Sequence, residues 1–296
     1  MYLSYSGFKK YQECPRQYWH SYVNKTKTPV PENRVNMLYG SCIGKLVEYF
    51  YNDKVWKQCD PDKVLLDRVN SVVADTMREE IRNGGVFNWK DPKLRKNGPR
   101  SLDEVIQEVR TAVPNSLSII RKYKLLGTDA AAEVKLDSEI SGHMLGGRCD
   151  FRMRRLHPLG DLIIVDGKGS RHRDTYVDIQ QLHWYSMLHR RKTGSLPDQV
   201  AFVFWRYLPD EAVDWSTPTR EAVDELQETV LRTVEEIETR KKLPLAASQA
   251  FPARAKKSTC GFCPYVFTCP EGQVMTSEIR PTISTGTGVE DVALDE

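Results

Sequence analysis

The fold of this chain is decided by residues 146–170, which read GGRCDFRMRRLHPLGDLIIVDGKGS. Within this stretch, the apolar run Leu162–Val165 is bounded by glycines and predicts a buried strand. Because side chains alternate along a strand, Asp166 and Lys168 point to the same side of it. The stretch therefore predicts an acid and an ammonium group close together where a buried strand ends.

A second acid, Asp150, belongs to the strand that is predicted just before this one. Two carboxylates and one ammonium group at the strand ends leave an excess negative charge, and the two carboxylates repel each other. A divalent cation bound by the acids, together with a phosphodiester that meets the lysine, resolves the imbalance. The competing interpretation is a surface Asp-x-Lys turn, which is a common local pattern. The triplet indicates metal chemistry on phosphodiesters but leaves the surface turn open.

A helical segment follows at residues 178–189, DIQQLHWYSMLH. Gln181 and Tyr185 are four residues apart, so they share one helix face and both side chains can face Asp150 and Asp166. Either side chain could donate to a phosphate oxygen or orient a water. An ordinary amphipathic helix with a Gln–Tyr pair at its edge would give the same spacing.

Three consecutive motifs resemble those of the PD-(D/E)xK nucleases: Gly147–Asp150, Ile164–Ser170 and Gln181–Tyr185. More narrowly, they resemble the RecB/AddB branch, which includes the iron–sulfur exonucleases of CRISPR adaptation and many phage exonucleases. The resemblance implies an α/β fold with a central mixed β-sheet of the restriction-endonuclease-like type. Helices flank this sheet, a helical insertion precedes it, and an iron–sulfur cluster joins the N- and C-terminal segments.

The resemblance also implies roles for the site residues. Asp150 and Asp166 bind Mg²⁺ or Mn²⁺ with help from the carbonyl of Gly167. Lys168 positions or polarises the attacking water, and the helical Gln–Tyr pair completes the motif. The residues implied as catalytic are Asp150, Asp166, Lys168, Gln181 and Tyr185.

The upstream motif of this branch, Gly-x-x-x-His-x-x-x-Glu on a helix, is altered in this chain. The corresponding stretch, Gly40–Glu48, reads GSCIGKLVE, with Gly44 where the histidine belongs. Glu48 lies one turn further along the same helix face and could replace the missing ligand directly or through a water. Glu133, which opens the strand before Asp150, is a second candidate.

Cysteine usage predicts a second site. The chain has seven cysteines and no secretory signal, which favours a reducing compartment over a disulfide scaffold. Cys260, Cys263 and Cys269 have C-x2-C-x5-C spacing, tight enough for one ion or cluster, and Cys14 is the best fourth ligand. Three of the four precede proline, as in some iron–sulfur runs, whereas zinc ribbons usually contribute two paired knuckles.

The resemblance implies that these four cysteines hold a [4Fe–4S] cluster, with structural Zn²⁺ as the alternative. Such a cluster would clasp the two ends of the chain together, and its loss should loosen both. The remaining cysteines, Cys42, Cys59 and Cys149, are expected to be small buried apolar residues.

Charge and composition suit a nucleic-acid partner. The chain of 296 residues is 40% hydrophobic, enough for one large core, and no apolar stretch reaches the length of a membrane span. Its net charge is +3, but six acids and one base from Glu271 onward leave +8 on the preceding residues. Basic residues also cluster near the predicted site, although a solvated positive face would look the same. The cluster comprises Arg152, Arg154, Arg155, Lys168, Arg171, Arg173, Arg190 and Arg191.

Helices are predicted at 37–58, at 61–83, from Ser101 with a bend or break at Pro114, and after Thr217-Pro218. Strands are predicted at about 131–140, 143–154, 161–168 and 199–207. We expect five segments: a cluster-ligand segment at 1–36, a helical region with a basic loop at 37–127, a nuclease core at 128–245, an iron–sulfur segment at 246–275 and a disordered acidic tail at 276–296.

The helical stretch 37–127 could form an arch that funnels single strands past the metal, or its basic loop could be only a mobile surface loop. In that loop Trp89 offers stacking and the neighbouring basic residues offer phosphate contacts. These basic residues are Lys90, Lys93, Arg95 and Lys96.

The expected function is a cytoplasmic, metal-dependent DNA exonuclease that acts on DNA ends or single strands in recombination, repair or replication. A helicase or recombination partner is possible, and no membrane is involved. Two alternatives remain. The altered upstream motif could mark a catalytically weakened nuclease fold that serves as a DNA-binding scaffold. In the second alternative, the cysteines form a redox or interaction module and the acid–lysine set is incidental.

Overall fold

The computed structural model describes residues 1–27, 32–91, 94, 98–127, 129–156, 160–170, 173 and 177–277. The chain divides into two compact units. The first consists of Met1–Phe8 and Pro31–Lys242, and the second of Lys9–Val30 and Leu243–Glu296. Most of the predicted acidic tail, from residue 278 onward, lies outside the described residues, as do Lys93, Arg95, Lys96 and Arg171.

Eight strands form two sheets in the first unit. The strands are β1 Tyr2–Ser4, β2 Ala131–Lys135, β3 Ser138–Ile140, β4 His143–Gly146, β5 Arg148–Arg154, β6 Leu162–Lys168, β7 Gln199–Phe204 and β8 Val213–Ser216. The central sheet has the order β2-β5-β6-β7-β8, and a small sheet has the order β1-β4-β3. In the central sheet β6 and β7 run parallel while the other neighbours are antiparallel. This mixed sheet confirms the predicted α/β class.

Ten α-helices accompany the strands within the described residues. They are α1 Tyr5–Glu13, α2 Pro15–Tyr18, α3 Val35–Asn52, α4 Pro61–Arg82, α5 Leu102–Lys122, α6 Ile179–Thr193, α7 Arg220–Lys242, α8 Ala247–Ala250, α9 Lys257–Cys260 and α10 Pro270–Ser277. Helices α3, α4 and α5 share one hydrophobic core with the central sheet, and α6 connects the parallel strands β6 and β7. That connection explains why β6 is apolar along its buried length, since strands of this kind are covered on both faces.

Local capping follows the sequence signals in two helices and departs from them in a third. Asp60 accepts a hydrogen bond from the Lys63 amide (3.0 Å) at the start of α4, and Ser101 caps α5. The cap of α7 is Thr219, whose hydroxyl accepts from the Ala222 amide at 3.2 Å, so the Thr217-Pro218 prediction is two residues early.

Four other expectations need correction. Pro114 lies inside a continuous α5, because the buried apolar face of that helix is held by packing. The predicted helix 37–58 ends at Asn52, since Lys54 adopts a left-handed conformation. The strand predicted at 131–140 is two strands in different sheets, and β8 was missed because four residues carry little alternation. Cys42 and Cys149 are buried as expected, but Cys59 is exposed.

Among the described residues, no helix combines the length and the apolar composition that a bilayer span requires.

Trp89 is half-buried and packs against the main hydrophobic core, with its ring stacked on Phe87.

Candidate active site

The end of β6 brings the two predicted aspartates together. Strands β5 and β6 are antiparallel, with Phe151 opposite Val165, so Asp150, which precedes Phe151, lies beside Asp166, which follows Val165. The amide of Gly167 donates a hydrogen bond to Oδ2 of Asp150 at 2.5 Å. The Asp150 carboxylate is thereby fixed against the β6 backbone between Asp166 and Lys168.

Asp166 is the centre of a side-chain network and is only 4% exposed. Its Oδ1 accepts hydrogen bonds from Nε2 of Gln181 (2.8 Å) and from the hydroxyl of Tyr185 (3.1 Å). The Lys168 ammonium forms an ion pair with Asp166 Oδ2 and donates to Oε1 of Gln181 at 3.0 Å. Lys168 from β6 and the helical pair Gln181 and Tyr185 from α6 therefore all contact the carboxylate of Asp166.

The Asp150 and Asp166 carboxylates destabilise each other's ionised forms. Burial, and then the charge of Asp166, raise the pKa of Asp150 to about 8. Burial also raises the pKa of Tyr185 well above its usual range, with Asp166 contributing, so this hydroxyl stays protonated and remains a donor. A buried and a half-buried carboxylate on neighbouring strands are difficult to ionise together without a compensating positive charge beyond Lys168.

A divalent cation fits these residues. Oδ2 of Asp166 is buried and accepts no aligned hydrogen bond within the described residues, although it meets the lysine. Among the residues that the structure describes, no group of three Cys, His, Asp or Glu side chains is close enough to hold a metal by itself. Two carboxylates completed by a main-chain carbonyl, waters and substrate oxygens are the ligand set that Mg²⁺ commonly uses.

Helix α3 crosses the chain immediately after Lys168. A Cβ on Gly169 would lie 2.5 Å from the Cα of Gly40, so position 169 needs glycine for this close approach, whereas a Cβ on Gly40 would make ordinary contact at 3.6 Å. Gly44, one turn further along α3, is exposed, and a Cβ built there meets no atom within 4 Å. The surroundings of Gly44, where the RecB/AddB-type motif has a histidine, are therefore open space on a helix that passes the end of β6.

The structure places both substitute acids in one electrostatic neighbourhood. The pKa of Glu48 is raised by burial and then by the charge of Glu133, and Glu133 also contributes to the raised pKa of Asp150. Glu133 has a positive φ of 53°, unusual inside a strand, and its side chain meets Arg148 at 3.2 Å. Glu133 is thus the electrostatic neighbour of both Glu48 and Asp150.

A clamp behind Lys168 was not foreseen from the sequence. The Trp205 amide donates to the Lys168 carbonyl (3.1 Å), and Nε of Arg206 donates to the Gly169 carbonyl (2.8 Å). The Arg206 guanidinium also lies 3.3 Å from the Tyr39 ring centroid and pairs with Glu108. The only signal in the sequence is an arginine just beyond an apolar strand, which is too common to be informative.

Several of the arginines predicted to surround the site are paired with acids. Arg155 meets Asp161 at 2.7 Å, Arg173 pairs with Asp214, and Arg190 pairs with Asp224. These guanidinium groups are already neutralised, so they form a weaker field for a polyanion than the sequence suggested.

The second unit brings the four predicted cysteines around one small cavity. Cys14, Cys260, Cys263 and Cys269 all line it. Burial raises the pKa of Cys263, and the charges of the other three cysteines add to the shift. The four cysteines are therefore electrostatic neighbours. No three of them, among the described residues, lie close enough together to hold a metal ion.

Arg16 links the two segments of this unit through several contacts. Its buried guanidinium donates to the carbonyls of Phe251 and Ser248, each at 2.7 Å, and forms an ion pair with Glu271 at 3.6 Å. Charge-assisted bonds of this kind are among the stronger ones in proteins. The clasp predicted for the cluster thus has a protein component that does not depend on metal.

A mixed sheet that carries two carboxylates and a lysine at one strand end defines the nuclease class. Residues 2–270 match the PD-(D/E)XK nuclease superfamily, and the chain belongs to that superfamily. Its members are nucleases that typically use divalent metals such as Mg²⁺ or Mn²⁺.

Two solved structures are similar to this chain. The crystal structure of SSO0001 is 19% identical, with a TM-score of 0.32, covering 57% of this chain and 76% of the other. A structure from Eubacterium rectale, described as a "putative exonuclease", is 15% identical, with a TM-score of 0.44, covering 80% and 79%. A search of curated proteins found no match.

The raised pKa of Asp150 predicts how metal binding depends on pH. Metal binding needs the ionised carboxylate and so releases its proton, and Mn²⁺ affinity should rise by about tenfold per pH unit up to about pH 8. Without metal, Asp150 keeps its proton in the folded state between its ordinary pKa of 3.8 and about 8, whereas the unfolded chain has lost it. This group therefore lowers the free energy of unfolding as pH rises through that window.

Isothermal titration calorimetry with Mn²⁺ at several pH values would measure both the affinity and the released proton. The Asp150→Asn variant, which cannot titrate, serves as the control. An affinity that is flat between about pH 6 and pH 8 would contradict the prediction.

Proposed function

We propose that this protein is a Mg²⁺- or Mn²⁺-dependent DNA exonuclease. It hydrolyses phosphodiester bonds at DNA ends or in single strands during recombination, repair or replication in the cytoplasm. The observation that carries the proposal is the buried Asp166, bonded at once to Lys168, Gln181 and Tyr185 in a chain of the nuclease superfamily.

In this proposal Asp150, Asp166 and the Gly167 carbonyl hold the cation. When bound, the cation polarises the phosphate and lowers the pKa of a water. Lys168, held by Gln181 and Asp166, places its ammonium against the charge that develops on the attacked phosphate. Tyr185 remains protonated and orients the Asp166 carboxylate through its hydroxyl.

Preference for ends rests on the resemblance of the motifs to the RecB/AddB branch, whose members process DNA ends. End-labelled linear single- and double-stranded DNA and a circular single strand would be incubated with Mn²⁺, with a chelator as control. We expect release of mononucleotides or short products from linear DNA only. Cleavage of the circle would reassign the protein as an endonuclease, and no cleavage of any substrate would remove the proposal.

The second unit is proposed to hold a [4Fe–4S] cluster on Cys14, Cys260, Cys263 and Cys269, with Zn²⁺ as the alternative occupant. The shared cavity and the mutual effect on the pKa of Cys263 support this assignment. A helicase or recombination protein that feeds DNA to the site is proposed as partner, on the resemblance of the motifs to the RecB/AddB branch.

A DNA-binding scaffold with weakened catalysis is the second candidate. It is favoured by one observation, the open space at Gly44 where relatives carry a metal-binding histidine. Glu48 and Glu133 are the side chains that could compensate. Cleavage by the purified protein at saturating Mn²⁺ separates the two candidates.

Replacing Gly44 with histidine should lower the Mn²⁺ concentration needed for half-maximal cleavage by about tenfold, or about 1.4 kcal/mol. The side chain enters open space, so it displaces no neighbour, and an imidazole adds a third protein ligand. The measurement is the cleavage rate as a function of Mn²⁺ concentration.

Gly44→Ala is the matched control, because it adds a Cβ and stabilises the helix by roughly 1 kcal/mol without adding a ligand. If the alanine and histidine variants change the Mn²⁺ requirement equally, then position 44 does not face the cation.

A further inference from the structure

The main chain at and just beyond Lys168 is held by the residues that follow β7. Strand β7 ends at Phe204, which lies opposite Lys168 in the parallel register. The Trp205 amide then donates to the Lys168 carbonyl at 3.1 Å. The next carbonyl, that of Gly169, accepts from Nε of Arg206 at 2.8 Å. A main-chain donor and a side-chain donor therefore fix two successive carbonyls, the first of which belongs to the lysine itself.

The Arg206 guanidinium is fixed in turn by two helices. Both of its terminal nitrogens lie 3.2 Å from Oε2 of Glu108 on α5, and its central carbon lies 3.3 Å from the ring centroid of Tyr39 on α3. The Arg206 side chain is only 16% exposed, so solvent screens these contacts little. A planar guanidinium can serve a carbonyl, a carboxylate and an aromatic face at once, which an ammonium group cannot. Arg206 thus ties α3 and α5 to the chain that follows Lys168.

The two glycines that flank Lys168 are closely packed. A Cβ on Gly167 would lie 2.5 Å from Nε1 of Trp205, a residue that is itself 2% exposed. On the other side of the lysine, a Cβ on Gly169 would lie 2.5 Å from the Cα of Gly40. The main chain that carries the lysine therefore has little room to shift while these contacts hold.

The placement of the Lys168 ammonium depends on this anchored main chain. A lysine side chain is a long, flexible stem, and here its tip meets Asp166 and Gln181. In the proposed reaction Asp166 also holds the cation, so the ion pair alone does not fix the lysine. A misplacement of about 1 Å caused by a change far from the chemistry can lower an enzymatic rate by about 10²-fold. Loosening the chain at Gly169 should therefore lower the rate of cleavage rather than the affinity for DNA.

We propose that Arg206 is a positioning residue for phosphodiester cleavage. It acts through the Gly169 carbonyl, which holds the main chain of Lys168 so that the ammonium meets the attacked phosphate. The effect requires no contact between Arg206 and the cation or the DNA. This inference rests on the proposed function and extends it, because it adds to the site a residue outside the acids, the lysine and the helical pair of α6.

Cleavage kinetics separate positioning from binding. With saturating Mn²⁺ and a linear DNA that the unaltered protein cleaves, Arg206→Ala should lower kcat by about 10- to 100-fold and leave KM within about twofold. Arg206→Lys keeps the charge beside Glu108 but loses the fork that serves the carboxylate and the Gly169 carbonyl together. This variant should fold and still lose about three- to tenfold in kcat, so it tests the proposal even if the alanine variant fails to fold.

Arg155→Ala is the matched control for a purely structural effect. The Arg155 side chain is 15% exposed, pairs with Asp161 at 2.7 Å and lies 5.2 Å from the ring centroid of Trp215. It lies beside the opposite end of β6, because its amide donates to the Asp161 carbonyl at 3.0 Å. Arg155→Ala should lower the melting temperature to an extent comparable with Arg206→Ala and leave kcat unchanged. An equal loss of kcat in both alanine variants would show that Arg206 acts only on stability, and would overturn the proposal.

A second measurement needs no cleavage. Lysine side chains labelled by reductive ¹³C-methylation give NMR signals, and Lys168→Ala identifies the signal of Lys168 by its absence. In a chelator, Arg206→Ala should shift or broaden that signal, whereas Arg155→Ala should not. An unchanged Lys168 signal in Arg206→Ala, or a rise in KM without a loss of kcat, would overturn the positioning role. Absence of cleavage by the unaltered protein would instead remove the proposed function, and the NMR signal would still show whether Arg206 fixes the lysine.

Discussion

Replacing Lys168 with alanine should reduce the rate of phosphodiester cleavage by at least about 10²- to 10³-fold, the usual cost of one preorganised donor at a reacting charge. The lysine is already aimed, because its ammonium is held by Asp166 and Gln181. Asp166→Ala should abolish cleavage altogether, since it removes a metal ligand and the acceptor of the whole network.

The fold should survive both substitutions, because the hydrophobic core around β6 is made by other side chains. Asp166→Asn adds a sharper test: it keeps Oδ1 as the acceptor for Gln181 and Tyr185 but removes the charge that binds metal. Asp161→Asn is the matched control, because Asp161 is an acid immediately before the same strand and pairs with Arg155. Initial rates with Mn²⁺ and thermal melting would be recorded for each variant. Cleavage retained in both alanine variants would remove the mechanism.

Replacing Cys263 with serine should remove the proposed cluster and lower the melting temperature of the second unit markedly. Metal binding of this kind is coupled to folding; structural Zn²⁺ in zinc-finger peptides contributes about 10–16 kcal/mol. The unit is small and cannot bury a large core, so it depends on such links more than the first unit does. The Arg16 bonds remain, which should keep the two segments associated but loosened.

Iron content, visible absorbance and calorimetric melting would be measured on protein purified without oxygen. Cys59→Ser is the control, because Cys59 is exposed and lies in the first unit. Zinc without colour would select the alternative occupant. An unchanged melting profile with no bound metal would show that the four thiols are free.

The sequence predicted the parts of the site whose geometry is local. Alternation along β6 put Asp166 and Lys168 on one side, and helical spacing put Gln181 and Tyr185 on one face. These periods are properties of the backbone itself, so they hold wherever the strand and helix are placed. The structure confirms that the two patterns meet at Asp166.

The Arg206 clamp, the left-handed Glu133 and the ion pairs of Arg155, Arg173 and Arg190 could not be predicted in this way. Each depends on which residue of a distant segment arrives beside it, and no local period encodes that.

The sequence by itself determined the mixed α/β class, the strand and helix that carry the acid–lysine network, and the spacing of the C-terminal cysteines. Only the tertiary structure decided what surrounds them: the crossing of Gly40 over Gly169, the open space at Gly44, and the ion pairs of Arg155, Arg173 and Arg190 with acids. The physical reason is that backbone geometry fixes neighbours a few residues apart, whereas contacts between distant segments are fixed by how the hydrophobic core packs.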